Sequence, residues 1–197
     1  MRRKQNKPDT ADGWETVRRA AAEGVPYSWL LHQRHYGGPF RQLLDATATQ
    51  RGEAVEQPVE ELLREAGIPY IRTGAHNQQQ IAQRFGLTVR PAPDFVMFDE
   101  NDTLRAMLES KAANDGGTAR DKASRFMALR QEASRLGGVP VFAVLAGLGW
   151  QRVNDALGPV VQACDGRVFT PATLDEMLTV APLPSLFGLA EEPQPDG

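Results

Sequence analysis

The chain has 197 residues, 41% hydrophobic and 24% charged, which is ordinary for one globular domain with a full core. Its net charge of −3 argues against nonspecific coating of nucleic acid but leaves room for a local basic surface that binds DNA. The single Cys164 excludes intrachain disulfides and multi-cysteine zinc sites, and no apolar run approaches a membrane span, so a cytoplasmic protein without membrane association is expected.

Both ends of the chain are predicted to be tails that flank one folded domain over residues 13–181. Residues 1–12 are basic and lack the apolar segment of a signal peptide, whereas residues 182–197 are acidic and rich in proline. Weak amphipathic patterns predict helices over residues 14–22 and 27–44.

The first clear elements lie between residues 58 and 85. Apolar residues at helical spacing predict a helix over residues 58–66, which Gly67 ends. The segment from Ile68 to Arg72 then has the composition of a strand, and residues 78–85 are predicted to form a short polar helix.

Residues 94 to 112 are predicted to form a β-hairpin. Its strands cover residues 94–98 and 103–112, and the residues from Asp99 to Asp102 make the turn. Because this turn is short, the two strands should pair antiparallel.

Helices and strands then alternate to the end of the domain. A helix is predicted over residues 118–136, with Thr118 as its N-cap, and the apolar residues 139–146 are typical of a buried central strand. A helix, a strand and a capping box follow over residues 151–163, 167–169 and 173–176. This order predicts an α/β fold with a central mixed β-sheet flanked by helices.

Three ionisable side chains are brought together by the hairpin: Asp94, Glu109 and Lys111. Because side chains alternate along a strand, Glu109 and Lys111 share a face, which we expect to point outward while Leu108 enters the core. The antiparallel partner strand brings Asp94 close to Glu109. Lys111 is one of only four lysines in a chain rich in arginine, and the two cations are not interchangeable.

Two converging carboxylates repel each other unless a cation lies between them, and hard oxygen ligands suit Mg²⁺. The candidate ligands are Asp94, Glu109 and the backbone carbonyl of Ser110. Lys111 would offset the negative charge and orient or help deprotonate an attacking water, while the metal polarises a phosphate. The set favours metal-dependent hydrolysis of a phosphodiester, with a solvated cross-strand ion pair as the alternative.

The order Pro93-Asp94, then Glu109-Ser110-Lys111, then a helix and a buried apolar strand resembles the PD-(D/E)xK nuclease superfamily over roughly residues 51–147. The resemblance implies a restriction-endonuclease-like core, with Asp94, Glu109 and Lys111 as catalytic residues and Mg²⁺ as cofactor. The chain most resembles type II restriction endonucleases, which implies sequence-specific cleavage of double-stranded DNA, a homodimer and a possible cognate DNA methyltransferase. The alternatives are a DNA repair or Holliday-junction-resolving nuclease, and a non-catalytic DNA-binding protein that retains the fold.

The segment from Arg51 to Gly67 is similar to the superfamily's first core helix, which often contributes a glutamate to the metal site. The spacing from Gly67 selects Glu56 for this role. Pro58 is better placed in a first helical turn than in a helix interior, which leaves Glu56 inside the helix or just before it. Other acidic residues of this segment are alternatives, as is a merely solvated acidic face: Glu60, Glu61 and Glu65.

Contacts with DNA are predicted in two further segments. The Gly-rich turn before Thr118 exposes backbone N–H groups that favour phosphate, and Arg120 and Lys122 lie on the first turns of the helix that follows. The amides of Asn77 and Gln78 are of the kind that reads adenine edges. A capped surface helix and a polar loop are the respective alternatives.

Overall fold

The computed structural model describes three stretches of the chain and two single residues: 54–114, 116–151 and 154–189, with Ala22 and Gly24. The chain divides into two units, Met1–Arg51 and Gly52–Gly197. All the elements below belong to the second unit.

The helices predicted upstream fall almost wholly outside the described residues. Of the segments 14–22 and 27–44, only Ala22 is described, and it is helical. The basic tail over residues 1–12, and with it the predicted domain boundary at residue 13, also lies outside the described part of the chain.

Helices and strands alternate through the second unit. The strands are β1 Tyr70–Arg72, β2 Phe95–Phe98, β3 Leu104–Ala112, β4 Val141–Ala146 and β5 Val168–Phe169. The α-helices are α1 over residues 54–65, α2 Gln78–Phe85, α3 Gly116–Arg135 and α4 Asn154–Ala163. Three 3₁₀ segments cover Leu148–Trp150, Pro171–Thr179 and Leu183–Leu186. Among the described residues, no helix combines the length and the apolar character needed to cross a membrane.

The strands form one five-stranded sheet in the order β1-β2-β3-β4-β5. Strands β1, β2 and β3 are antiparallel neighbours, whereas β3, β4 and β5 run parallel. The prediction of an α/β fold with a mixed sheet and flanking helices is therefore confirmed. Within the antiparallel hairpin Phe95 pairs with Leu108, so Asp94 arrives beside the end of β3 that carries Glu109 and Ser110.

Both faces of this sheet are buried. On one face Val96 and Met107 pack with apolar residues of α2, α3 and α4. On the other, Phe95 and Leu108 pack with α1 and the C-terminal 3₁₀ segments. Glu109 is only 2% exposed, so the expectation that its face points outward is wrong. Hairpin alternation fixes which residues share a face, but helices that come later in the chain decide whether that face meets water.

Two predicted helix starts differ from the observed ones. Helix α3 already includes Gly116, so Thr118 lies inside its first turn and is not the N-cap. The predicted capping box at residues 173–176 is also displaced, because the 3₁₀ segment begins with Pro171 and Thr170 N donates to Thr173 Oγ1 at 3.0 Å. Proline favours the first helical position, which explains the earlier start.

The folded part of the chain extends beyond the predicted boundary at residue 181. Leu183 and Leu186 are buried in the core, and Gly188 N donates to Ala66 O at 3.1 Å. An added Cβ at Gly67 would lie 2.9 Å from Gly188 Cα, so the C-terminal segment lies directly on the turn after α1. Residues up to Leu189 therefore belong to the fold and not to the acidic tail.

The loop that leads to Asp94 is anchored by a buried carboxylate on α3. Glu132 is 5% exposed and accepts from Thr88 Oγ1 at 2.7 Å, from Thr88 N, and from Arg135 Nη2 at 2.7 Å. Arg135 also donates to Gly86 O. The Arg135 guanidinium, against an opposing effect of burial and with the help of Thr88, lowers the pKa of Glu132 to about 2.

Glu132 should make the stability of the fold dependent on acid. Its pKa lies below the ordinary value of 4.5, so its contribution is complete above that pH and is lost as the pH falls toward 2. Glu132→Gln is expected to lower the free energy of unfolding at pH 7 by about 1.5–3 kcal/mol, because Gln keeps the shape but loses the charged hydrogen bonds. Urea unfolding at pH 7 and pH 3.5 measures this.

Glu65 is exposed on α1. Glu65→Gln therefore serves as the matched control, since it makes the same chemical change on a helix surface. The wild type and Glu65→Gln should lose more stability on acidification than Glu132→Gln does. Equal losses in all three proteins would contradict the assignment of the acid sensitivity to Glu132.

Candidate active site

The backbone at Pro93-Asp94 is held from the side of β1. Thr73 N donates to Asp94 O at 2.8 Å, and Thr73 Oγ1 donates to Pro93 O at 2.6 Å. The Asp94 side chain is oriented from the other side, where Asp94 Oδ2 accepts from Ser110 N at 2.8 Å and from Ser110 Oγ at 3.0 Å. The carboxylate of Asp94 is therefore fixed against β3 by these two hydrogen bonds.

The Lys111 ammonium lies among three oxygens. Its Nζ is 2.6 Å from Glu109 Oε1, 2.9 Å from Ser110 O and 3.2 Å from Asp94 Oδ2. Burial alone would lower the pKa of Lys111, but the carboxylates of Glu109 and Asp94 outweigh it and raise the pKa above its ordinary value. Lys111 is therefore a charged ammonium at neutral pH, and the hairpin brings Asp94, Glu109, Ser110 and Lys111 together as the sequence predicts.

Glu109 has a second cationic partner on α3. Arg125 Nε donates to Glu109 Oε1 at 2.9 Å, and Arg125 Nη2 donates to Glu109 Oε2 at 3.2 Å. The Arg125 side chain is itself only 13% exposed. Arg125 was not predicted from the sequence as part of the site. The available signal was a set of charged residues, Lys122, Arg125 and Glu132, at helical spacing along the apolar stripe of α3.

Glu56 lies within α1, which includes residue 54, so Pro58 falls inside the helix and not at its start. Its Oε2 accepts from Arg72 Nη2 at 2.8 Å and from Arg72 Nε at 3.2 Å. Burial and then the charge of Asp94 raise the pKa of Glu56, against the opposing effects of Arg72 and Lys111. The charges of Asp94 and Lys111 therefore both affect the pKa of Glu56.

The alternative glutamates of α1 have different surroundings, although Glu60 shares Arg72 with Glu56. Glu60 Oε2 accepts from Arg72 Nη1 at 2.7 Å, and Glu61 Oε1 accepts from Gln57 Nε2 at 3.0 Å. Glu65 is exposed.

The oxygens around Lys111 are suited to a hard cation. Within the described ranges, no group of three or more His, Cys, Asp or Glu side chains is placed to hold a metal. The set at Lys111 instead consists of two carboxylates and one backbone carbonyl, all oxygen donors of the kind that Mg²⁺ prefers. The donor chemistry therefore fits a divalent cation, which would replace the Lys111 ammonium as the partner of these oxygens.

The predicted DNA-contact residues have distinct surroundings. Arg120 is exposed on the first turns of α3, and Lys122 Nζ donates to Ala112 O at 2.5 Å, at the end of β3. Both polar atoms of the Asn77 amide are hydrogen-bonded to the nearby backbone. Gly74 N donates to its Oδ1 at 2.7 Å, and its Nδ2 donates to Arg72 O at 2.9 Å. Gln78 is half-buried at the start of α2. The amide of Asn77 therefore holds the loop after β1 in this structure.

No protein-family model, no curated protein and no solved structure matches this chain. The function is therefore inferred from the geometry and chemistry of the site itself.

Proposed function

We propose that this protein is a Mg²⁺-dependent DNA endonuclease with a restriction-endonuclease-like core, most similar to type II restriction enzymes. The observation that supports it is the position of Lys111 Nζ, within 3.2 Å of two carboxylates and one backbone carbonyl. An ordinary surface ion pair needs only one acid and stays solvated. Here Glu109 is buried, which is costly for a charged group, and two cations, Lys111 and Arg125, offset that cost.

In this proposal Asp94, Glu109 and the carbonyl of Ser110 hold the metal, and Glu56 completes the acidic surroundings. When bound, Mg²⁺ polarises the scissile phosphate and lowers the pKa of a coordinated water. Asp94 is oriented for this by Ser110, whose N–H and hydroxyl fix one of its two carboxylate oxygens.

Lys111 acts as a hydrogen-bond donor in the proposed reaction. Against the effect of burial, the carboxylates of Glu109 and Asp94 raise its pKa, so Nζ carries a proton in this arrangement and can donate a hydrogen bond. Once its oxygen partners bind a metal, the ammonium is free to donate to the attacking water and to a phosphate oxygen, where negative charge develops. This position fits both roles that the sequence left open, orienting the attacking water and helping to deprotonate it.

The proposed substrate is double-stranded DNA. Arg120 and Lys122 lie on the first turns of α3, which follows β3 in the chain, and would supply positive charge for the phosphate backbone. A homodimer and a cognate DNA methyltransferase are part of the proposal through the resemblance to type II restriction enzymes, whose two-fold symmetry matches palindromic sites.

Cleavage of unmethylated phage DNA tests the proposal. The purified protein is incubated with the DNA in Mg²⁺ and, in parallel, in EDTA. Discrete fragments are expected in Mg²⁺ alone. Lys111→Met is expected to slow cleavage by about 100-fold or more, because it removes the donor at the developing charge. Arg105→Met is the matched control, since it removes an exposed cation from the same strand and should cleave like the wild type.

Other outcomes of this experiment would favour the two alternative functions. Cleavage of four-way junctions in preference to linear duplex would favour a junction-resolving nuclease. If the protein binds DNA but leaves linear and junction substrates intact, the non-catalytic binder replaces the endonuclease. Unchanged cleavage by Lys111→Met would refute the assigned role of Lys111.

A further inference from the structure

Arg125 reaches Glu109 from the helix that crosses between β3 and β4. Its guanidinium forms a fork on the carboxylate, with Nε at 2.9 Å from Oε1 and Nη2 at 3.2 Å from Oε2. Oε1 is the oxygen that Lys111 Nζ also approaches, at 2.6 Å. Both oxygens of Glu109 are therefore oriented by α3, and one of them is turned toward Asp94 and Lys111.

A two-pronged contact restrains a carboxylate more than a single charge does. A guanidinium is planar and fixes the plane of the carboxylate, whereas an ammonium at the same distance leaves the carboxylate free to rotate. Glu109 is 2% exposed and Arg125 is 13% exposed, so few water molecules compete with this contact. Partners that orient metal ligands in this way commonly change metal affinity by about 10–100-fold when they are removed.

We propose that Arg125 is a positioning residue that holds Glu109 in the orientation needed to bind the divalent cation. This inference rests on the proposed metal-dependent nuclease activity and adds to it a residue outside the Asp94, Glu109 and Lys111 set. Arg125 acts through Glu109 and sets the cation concentration at which the site fills.

Arg125 could affect the site through its charge alone or by positioning Glu109, and these two roles predict different changes in cation affinity. If only the positive charge of Arg125 mattered, Arg125→Lys would behave like the wild type, and Arg125→Gln would bind cations more tightly because a repulsive charge is gone. If the fork positions Glu109, both variants should bind cations more weakly. Arg130→Lys is the matched control, since Arg130 lies on the same helix and pairs with Asp165 at the surface.

Two measurements test the proposal on these variants. The first is Ca²⁺ binding to the DNA-free protein by calorimetry, which does not depend on activity. The second is a Mg²⁺ titration of the cleavage rate. We expect Arg125→Lys to need about tenfold more of either cation than the wild type and Arg130→Lys, with a cleavage rate at saturating Mg²⁺ within about twofold of the wild type. A merely structural role would lower the active fraction at every Mg²⁺ concentration and leave the midpoint unchanged.

An unchanged or lowered midpoint in Arg125→Lys would overturn the proposal while leaving the nuclease function in place. If Arg125→Lys does not fold, the same two measurements are made on Arg125→Gln. A lowered midpoint in that variant would overturn the proposal as well. If the wild type neither binds Ca²⁺ nor cleaves DNA in Mg²⁺, the proposed function fails, and the role of Arg125 fails with it.

Discussion

Asp94→Asn is expected to reduce Mg²⁺-dependent cleavage by about 1,000-fold while leaving the protein folded. The substitution keeps the shape of the side chain but removes one of the two carboxylates that Lys111 Nζ contacts. Asp94 Oδ2 accepts from Ser110 N, Ser110 Oγ and Lys111 Nζ, so a neutral amide weakens three contacts and removes a metal ligand in one step. Single-turnover cleavage rates, with circular dichroism as the check on folding, measure the effect.

Asp102→Asn is the matched control for this variant. Asp102 lies at the opposite end of the same hairpin, where it forms an exposed ion pair with Arg84. Its φ of 58° is one that Asn also adopts readily, so the backbone should tolerate the change. Asp102→Asn should cleave like the wild type. Cleavage by Asp94→Asn within tenfold of the wild type would refute the metal-binding role of Asp94.

Gly147→Ala is expected to destabilise the fold by about 3 kcal/mol or more. Gly147 follows β4 with a φ of +90°, which L side chains rarely adopt, and an added Cβ would lie 2.3 Å from Ala113 O and 2.7 Å from Asn114 Oδ1. Ala113 O already accepts from Gly149 N at 2.8 Å. The carbonyl cannot move aside without breaking this hydrogen bond, so the strain and the clash add.

Gly138→Ala separates the two contributions. Gly138 has a φ of +88°, but an added Cβ there would meet nothing within 4 Å. It should therefore lose only the conformational part, about 1–2 kcal/mol. Urea unfolding of both variants gives the difference. Equal losses would show that the close contact with Ala113 contributes nothing, contrary to our expectation.

Much of the hairpin and its site could be predicted from the sequence because the relevant rules are local. Strand alternation puts Glu109 and Lys111 on one face, and the short turn makes β2 and β3 antiparallel neighbours. The register that brings Asp94 next to Glu109 also depends on a β-bulge between Met97 and Phe98, which the sequence did not predict. Helix α2 also has the predicted bounds, from Gln78 to Phe85, because a polar amphipathic turn and the glycine after it are local signals.

The features that the sequence did not predict depend on tertiary packing. The burial of Glu109 requires α3 and α4 to cover its face, and the partnership with Arg125 requires the register of α3 over the sheet. The packing of Leu183 and Leu186 against the second core likewise has no local signal, because a short apolar segment before an acidic, Pro-rich end looks like a tail.

The spacing of the contacts within the site bears on how the protein folds. Asp94 meets Ser110 across 16 residues, and Glu109 meets Arg125 across another 16. The side-chain contacts that join Asp94, Glu109 and Arg125 are therefore made within one continuous stretch from residue 94 to residue 125, whereas Glu56 and Thr73 reach the site from outside it. Short loops cost little entropy to close, and low contact order favours rapid folding. We expect amide hydrogen exchange during refolding to protect β3 and α3 before β1 and β5, whose pairing completes the edges of the sheet.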